Sequence, residues 1–117
     1  MRTLMQTRPI TVAETHIFRR QAEKIWSDAE LAVLVDHLAH NPEDGDLILG
    51  TGGIRKIRWG KAGTGKRGGL RVIYFYHNAD MPLYLLLAYA KAQATDLTQD
   101  EKRTLTALAA ALKQGKG

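Results

Sequence analysis

Near Asp46 the spacing of apolar residues changes from helical to strand-like, and at Thr98 it changes back. Before the first switch, Ile17, Phe18, Ala22 and Ile25 fall near one face of a helix expected over 15–25, which breaks at Trp26-Ser27. Ser27-Asp28-Ala29-Glu30 is a capping box, in which the serine hydroxyl accepts from the backbone N–H three residues on and Glu30 reaches back. Leu31, Leu34, Val35 and Leu38 then recur at i, i+3, i+4 and i+7, so a second helix buries one stripe until Asn41-Pro42, where proline cannot continue it. Thr98-Gln99-Asp100-Glu101 is a second capping box, and Leu105, Leu108, Ala109 and Leu112 give a last helix its apolar stripe. Between the switches lie four strand-like segments, 47–49, 54–59, 70–77 and 83–89, and 8–14 (RPITVAE) reads as a first strand with Pro9 at its start or edge. Gly52-Gly53 and Asn78-Ala79-Asp80 are tight-turn chemistry, so neighbouring strands are expected to pair antiparallel. The predicted class is α+β: a small, mainly antiparallel β-sheet flanked by two N-terminal helices and one C-terminal helix.

The 117 residues are expected to form a single domain over 1–117, since one core serves roughly 100 to 150 residues. With 44% apolar and 25% charged residues, the chain has enough apolar surface to bury. Its longest apolar run, 81–90, contains Pro82 and falls well short of the roughly 20 residues a bilayer crossing needs, so no membrane association is expected. The first fifteen residues lack the continuous apolar segment of a secretory signal, which makes the cytoplasm the expected location. The absence of cysteine excludes disulfides, a thiolate zinc site and a thiol nucleophile.

Charge placement says more than the net charge of +5. Seven cations (Arg55, Lys56, Arg58, Lys61, Lys66, Arg67, Arg71) and no acid lie between Arg55 and Arg71, while the other ten cations face all twelve acids. The excess is therefore local, as at an anion site. On a strand over 54–59, alternation sends Lys56 and Arg58 to one face and Arg55, Ile57 and Trp59 to the other. A hairpin closed by 60–69, half of it glycine, brings Arg71 beside Lys56 and Arg58, and Lys91 stands just beyond the last strand. Gathered like charges repel and add nothing to folding, whereas an anionic ligand relieves them. Solvated cations that guard a sheet edge are the competing explanation. The acid-free window and its interleaved glycines favour phosphate.

Two nucleotide motifs fail on inspection. Gly60-x-x-x-x-Gly65-Lys66 lacks the following Ser or Thr of a P-loop, having Arg67 there, and it leads into a strand where phosphate cradling needs a helix N-terminus. Gly63-x-Gly65-x-x-Gly68 fails as a dinucleotide fingerprint for the same reason. His37 and His40 share a helix face but have no cysteine, HExxH or carboxylate cluster beside them, and His16 and His77 are isolated, so neither a metal nor another cofactor is expected.

Gly50-Thr51-Gly52-Gly53-Ile54-Arg55-Lys56-Ile57-Arg58 and the preceding Gly45-Asp46, then Gly65 to Phe75 (GKRGGLRVIYF), Tyr84 to Lys91 (YLLLAYAK) and Asp96-Leu97-Thr98, resemble the HigB branch of the RelE toxins of type II toxin–antitoxin systems. The likeness spans about residues 9–112, including the order of elements. It implies a RelE-like fold and a ribosome-dependent endoribonuclease that cuts messenger RNA without a metal and is neutralised by a cognate helix-turn-helix antitoxin (HigA-like). In such chemistry the 2′-hydroxyl of the RNA attacks the adjacent phosphate, so the protein assists proton removal, stabilises phosphorane charge and protonates the 5′-oxygen. Matching the strand motif places Lys56 and Arg58 at basic catalytic positions and Arg71 at a phosphate-binding arginine. Arg71 and Arg58 are then expected to stabilise charge, with Lys56 as base or third electrostatic contact.

The resemblance also has gaps. RelE-type toxins commonly carry an arginine acid after the last strand and a stacking tyrosine a few residues on, but Lys91 to Thr98 (KAQATDLT) holds neither. Lys91 is the candidate proton donor, Tyr89 or Trp59 the candidate stacking residue, and Arg55, Lys61, Lys66 and Arg67 the candidate contacts to RNA or the ribosome. The gaps leave a competing function, a basic nucleic-acid-binding module without catalysis, such as a degenerate toxin or transcriptional cofactor.

Overall fold

Both expected capping boxes form. Ser27 Oγ accepts from the Glu30 N–H at 3.1 Å and Glu30 Oε1 from the Ser27 N–H at 2.8 Å, opening α2 (Asp28–His40). Thr98 and Glu101 repeat the exchange at 3.0 and 2.8 Å and open α3 (Gln99–Lys113). Such a cap stabilises a helix start by about 1 kcal/mol. α1 (His16–Ile25) begins at Thr15, whose hydroxyl accepts from the Phe18 N–H at 3.2 Å while its own N–H bonds the Leu85 carbonyl at 3.1 Å, fixing the helix to the sheet. The computed structural model describes residues 8–60, 69–91 and 97–115.

Strands β1 (Val12–Glu14), β2 (Asp46–Leu47), β3 (Ile54–Trp59), β4 (Leu70–Phe75) and β5 (Leu83–Ala90) form a five-stranded sheet in the order β1-β5-β4-β3-β2. β2 to β5 pair antiparallel, whereas β1 lies parallel to β5 with Val12 opposite Leu83. The parallel pair needs no turn of its own, because two helices and three strands intervene. The first strand is shorter than expected: the Ile10 N–H turns away to the Ala39 carbonyl of α2, at 3.0 Å. β2 covers 46–47 where 47–49 was expected, and the chain then turns through Gly50 and Gly52, both at φ +78°. β4 stops two residues short of His77, and the Asp80 N–H donates to Asn78 Oδ1 at 2.9 Å in the turn that follows.

The sheet is covered on both faces. Phe18 of α1 and Leu34 and Leu38 of α2 pack on Ile57, Trp59, Val72 and Tyr74. Leu105, Ala109 and Leu112 of α3 pack on Ile54, Ile73, Phe75 and Leu86. Fully burying a side chain of this kind contributes roughly 1.5–3 kcal/mol. A register shift beside Ile73 and Tyr74 leaves Leu86 of β5 without its own cross-strand partner, and both Leu86 and Leu87 join the α3 side. On that side β3 and β4 supply apolar contacts at Ile54, Ile73 and Phe75; toward the other end the same positions read Lys56, Arg58 and Arg71.

Candidate functional site

Strand pairing alone assembles the cations. Arg58 of β3 stands directly opposite Arg71 of β4, and Arg71 directly opposite Tyr89 of β5, so the three side chains form one row on one sheet face. Lys56 lies on the same face one row along, about 6.7 Å away at two residues per row. Like charges facing each other across a ladder oppose folding, by up to about 1 kcal/mol. Arg71 is also 8% exposed, and its Nη1 donates to the Leu70 carbonyl at 3.2 Å. Beside these residues is an open hollow of about 390 Å³, lined by Asp44, Asp46, Lys56, Ile57, Arg58 and Arg71. Lys91 follows β5 directly, and its N–H bonds the Gly69 carbonyl at 2.8 Å, continuing the β4–β5 ladder at the end of the sheet nearest the Arg58–Arg71 row. Its side chain is exposed.

Two expected contacts do not join this group. Trp59 alternates to the other face, is 2% exposed, and packs its ring 4.9 Å from His37 at an interplanar angle of 46°. It is core, because α2 covers the face where a base would have to stack. Arg55 alternates the same way, and its Nη1 donates to the carbonyls of Glu43 and Gly45 at 3.1 and 2.8 Å. It therefore ties down the turn before β2 and does not extend the cationic face. Tyr89 is half-buried in the row. Lys61, Lys66 and Arg67 lie outside the described residues.

Sequence reasoning missed Asp44 and Asp46. The window 55–71 contains no acid, but β2 folds back on β3 and sets Asp46 opposite Lys56. Counting back from Gly52-Gly53 as a two-residue turn would set Leu47 opposite Arg58; the loop over 49–53 is instead centred on Thr51, and that longer turn is what brings Asp46 to Lys56. Asp44 precedes β2, and its Oδ2 lies 2.7 Å from His37 Nε2. His40 Nδ1 is 2.9 Å from the Asp36 carbonyl oxygen, and among the described residues no cluster of three or more histidines and acids could hold a metal.

Tyr74 holds the turn that delivers these carboxylates. Fully buried in β4, its hydroxyl donates to the Pro42 carbonyl at 2.9 Å and accepts from the Gly45 N–H at 2.8 Å. Burial pushes its pKa up from 10.0 to about 12, partly offset by the Gly45 hydrogen bond and the Arg55 charge. A Cβ on Gly45 would lie 2.8 Å from Tyr74 Oη and 3.1 Å from the Lys56 carbonyl oxygen, so only glycine lets the turn press this closely against β3.

A profile described as the RelE toxin of the RelE/RelB toxin–antitoxin system matches residues 10–116. The chain belongs to the RelE toxin family. As a RelE toxin it is the toxin half of a toxin–antitoxin system, in which such proteins pair with antitoxins. The three described helices and the mostly antiparallel sheet are the RelE-like architecture. Among the described residues no helix is long and apolar enough to cross a membrane.

Proposed function

We propose that this RelE toxin, of the HigB branch, is an endoribonuclease that cuts messenger RNA on the translating ribosome in the cytoplasm, with a HigA-like helix-turn-helix protein as its antitoxin. The observation that carries the reading is Arg58 facing Arg71 across the β3–β4 ladder, two guanidiniums on one sheet face that a phosphodiester can bridge. The Arg71 guanidinium, set deep beside the hollow, holds a non-bridging phosphate oxygen in a place of lowered dielectric, where its effect on developing charge is greatest. Arg58 reaches the same phosphate from the exposed side. Attack of the 2′-oxygen forms the O2′–P bond as the P–O5′ bond breaks, leaving a 2′,3′-cyclic phosphate and a 5′-hydroxyl. Lys91, two residues beyond Tyr89 and just past β5, donates the proton that the departing 5′-oxygen needs. Tyr89 offers its ring beside the phosphate site as a surface for a base.

The test is brief induction in growing bacteria followed by mapping of message ends. The reading requires growth arrest and new ends at codon-spaced positions within translated regions. RNA binding without new ends would instead identify a non-catalytic binding module.

A further inference from the structure

We infer that Asp46 is the general base of the cleavage, the group that takes the 2′-hydroxyl proton; the inference rests on the cleavage reading above. Asp46 sits opposite Lys56 in the β2–β3 pair, so its side chain shares the sheet face of Lys56, Arg58 and Arg71, and it lines the same hollow. From Asp46 to Arg58 is one diagonal step between neighbouring strands, about 7–8 Å. A phosphate held by Arg58 and Arg71 therefore has its adjacent ribose within reach of an aspartate at that position. Arginine has no acceptor atom and an ammonium has none either, so among the described residues lining the hollow Asp44 and Asp46 are the polar side chains that can accept a proton without first losing one. Asp44 is committed elsewhere: its Oδ2 is held by His37 Nε2 at 2.7 Å and its side chain is only 22% exposed. Asp46 is exposed, on a strand whose position is fixed by the Tyr74 and Arg55 contacts to Gly45. In the step, the 2′-hydroxyl proton passes to the Asp46 carboxylate as the O2′–P bond forms. The P–O5′ electrons leave with oxygen, which takes a proton from Lys91, and exchange with solvent restores both side chains. Lys56 then acts as a cation beside the base and the phosphate.

The experiment measures single-turnover cleavage of a defined message on translating ribosomes as a function of pH, for the wild-type chain and for Asp46→Asn, Asp44→Asn and Lys56→Arg. The wild-type rate should show an acid limb, falling on acidification as the base is lost to protonation. Asp46→Asn should lose about 10²- to 10⁴-fold in rate, and that acid limb, with ribosome binding unchanged. Asp44→Asn should keep the limb, and so should Lys56→Arg, whose guanidinium cannot serve as a base, at a rate lowered by less than that of Asp46→Asn. A wild-type profile that rises only well above neutrality would overturn the assignment without any variant. So would full activity in Asp46→Asn, transfer of the limb's loss to Asp44→Asn, or abolition by Lys56→Arg with binding intact. A wild-type chain that binds translating ribosomes but never cuts would overturn the cleavage reading, and this assignment with it; the other failures leave that reading standing.

Discussion

Tyr74→Phe removes one oxygen from the sheet core and two hydrogen bonds from the turn that places Asp44 and Asp46. The Gly45 N–H, buried and otherwise at 2.8 Å from that oxygen, is stranded at a cost of about 1–3 kcal/mol. The Pro42 carbonyl is half-buried and regains some water, so its loss adds only about 0.5–1 kcal/mol. The sum, about 1.5–4 kcal/mol, corresponds to a fall in Tm of roughly 6–20 °C for a chain of this size. The tyrosine also gives a pH signature. Folded Tyr74 keeps its proton up to about 12, while an unfolded tyrosine releases it near 10, so the native state binds more protons between these values. The stability contributed by the raised pKa is complete below pH 10 and is lost as pH rises through 12, by roughly 2–3 kcal/mol. Urea unfolding of both proteins at neutral pH and across the alkaline range reads the two effects together. The wild type should be the more stable at neutral pH, and the gap should close in alkali. Equal stability at neutral pH, or parallel curves between pH 10 and 12, would refute the role given to this hydroxyl.

Three further outcomes follow from the same geometry. Gly45→Ala places a methyl 2.8 Å from Tyr74 Oη and should lower stability by about 1–3 kcal/mol in urea unfolding. Trp59→Phe should lower stability by about 1 kcal/mol yet leave RNA affinity unchanged in filter binding, because the indole is in the core on the face opposite the Arg58–Arg71 row. RNA affinity should weaken about fifty-fold between 50 and 200 mM salt, a log–log slope of about −2.8, if four cations each meet a phosphate; a flat response would remove phosphate as the ligand.

What could be read from the sequence was what local chemistry decides. Ser27 with Glu30 and Thr98 with Glu101 lie within one helical turn, and both boxes form as spelled out. The 54–59 strand and its alternation needed only its own residues, which is why Lys56 and Arg58 share a face; Arg71 joins them through the β3–β4 register. The parallel seat of β1 depends on a partner 71 positions away, and no turn announces it. Trp59 and Tyr89 are both strand aromatics in a sheet covered on two faces; alternation sets Trp59 on the face away from Lys56 and Arg58, and the packing of α2 there makes it core, while Tyr89 joins the cationic row. Asp46 was overlooked because charge was counted along the chain, while the β2–β3 register brings that carboxylate to Lys56 in space.

The most direct test of the cationic row is Arg71→Ala, with its fold checked by unfolding, in the message cleavage assay on translating ribosomes. Loss of this buried guanidinium should lower the cleavage rate by about 10²–10³-fold while cooperative unfolding is retained. A folded Arg71→Ala protein that cuts the same messages at the wild-type rate would contradict the site.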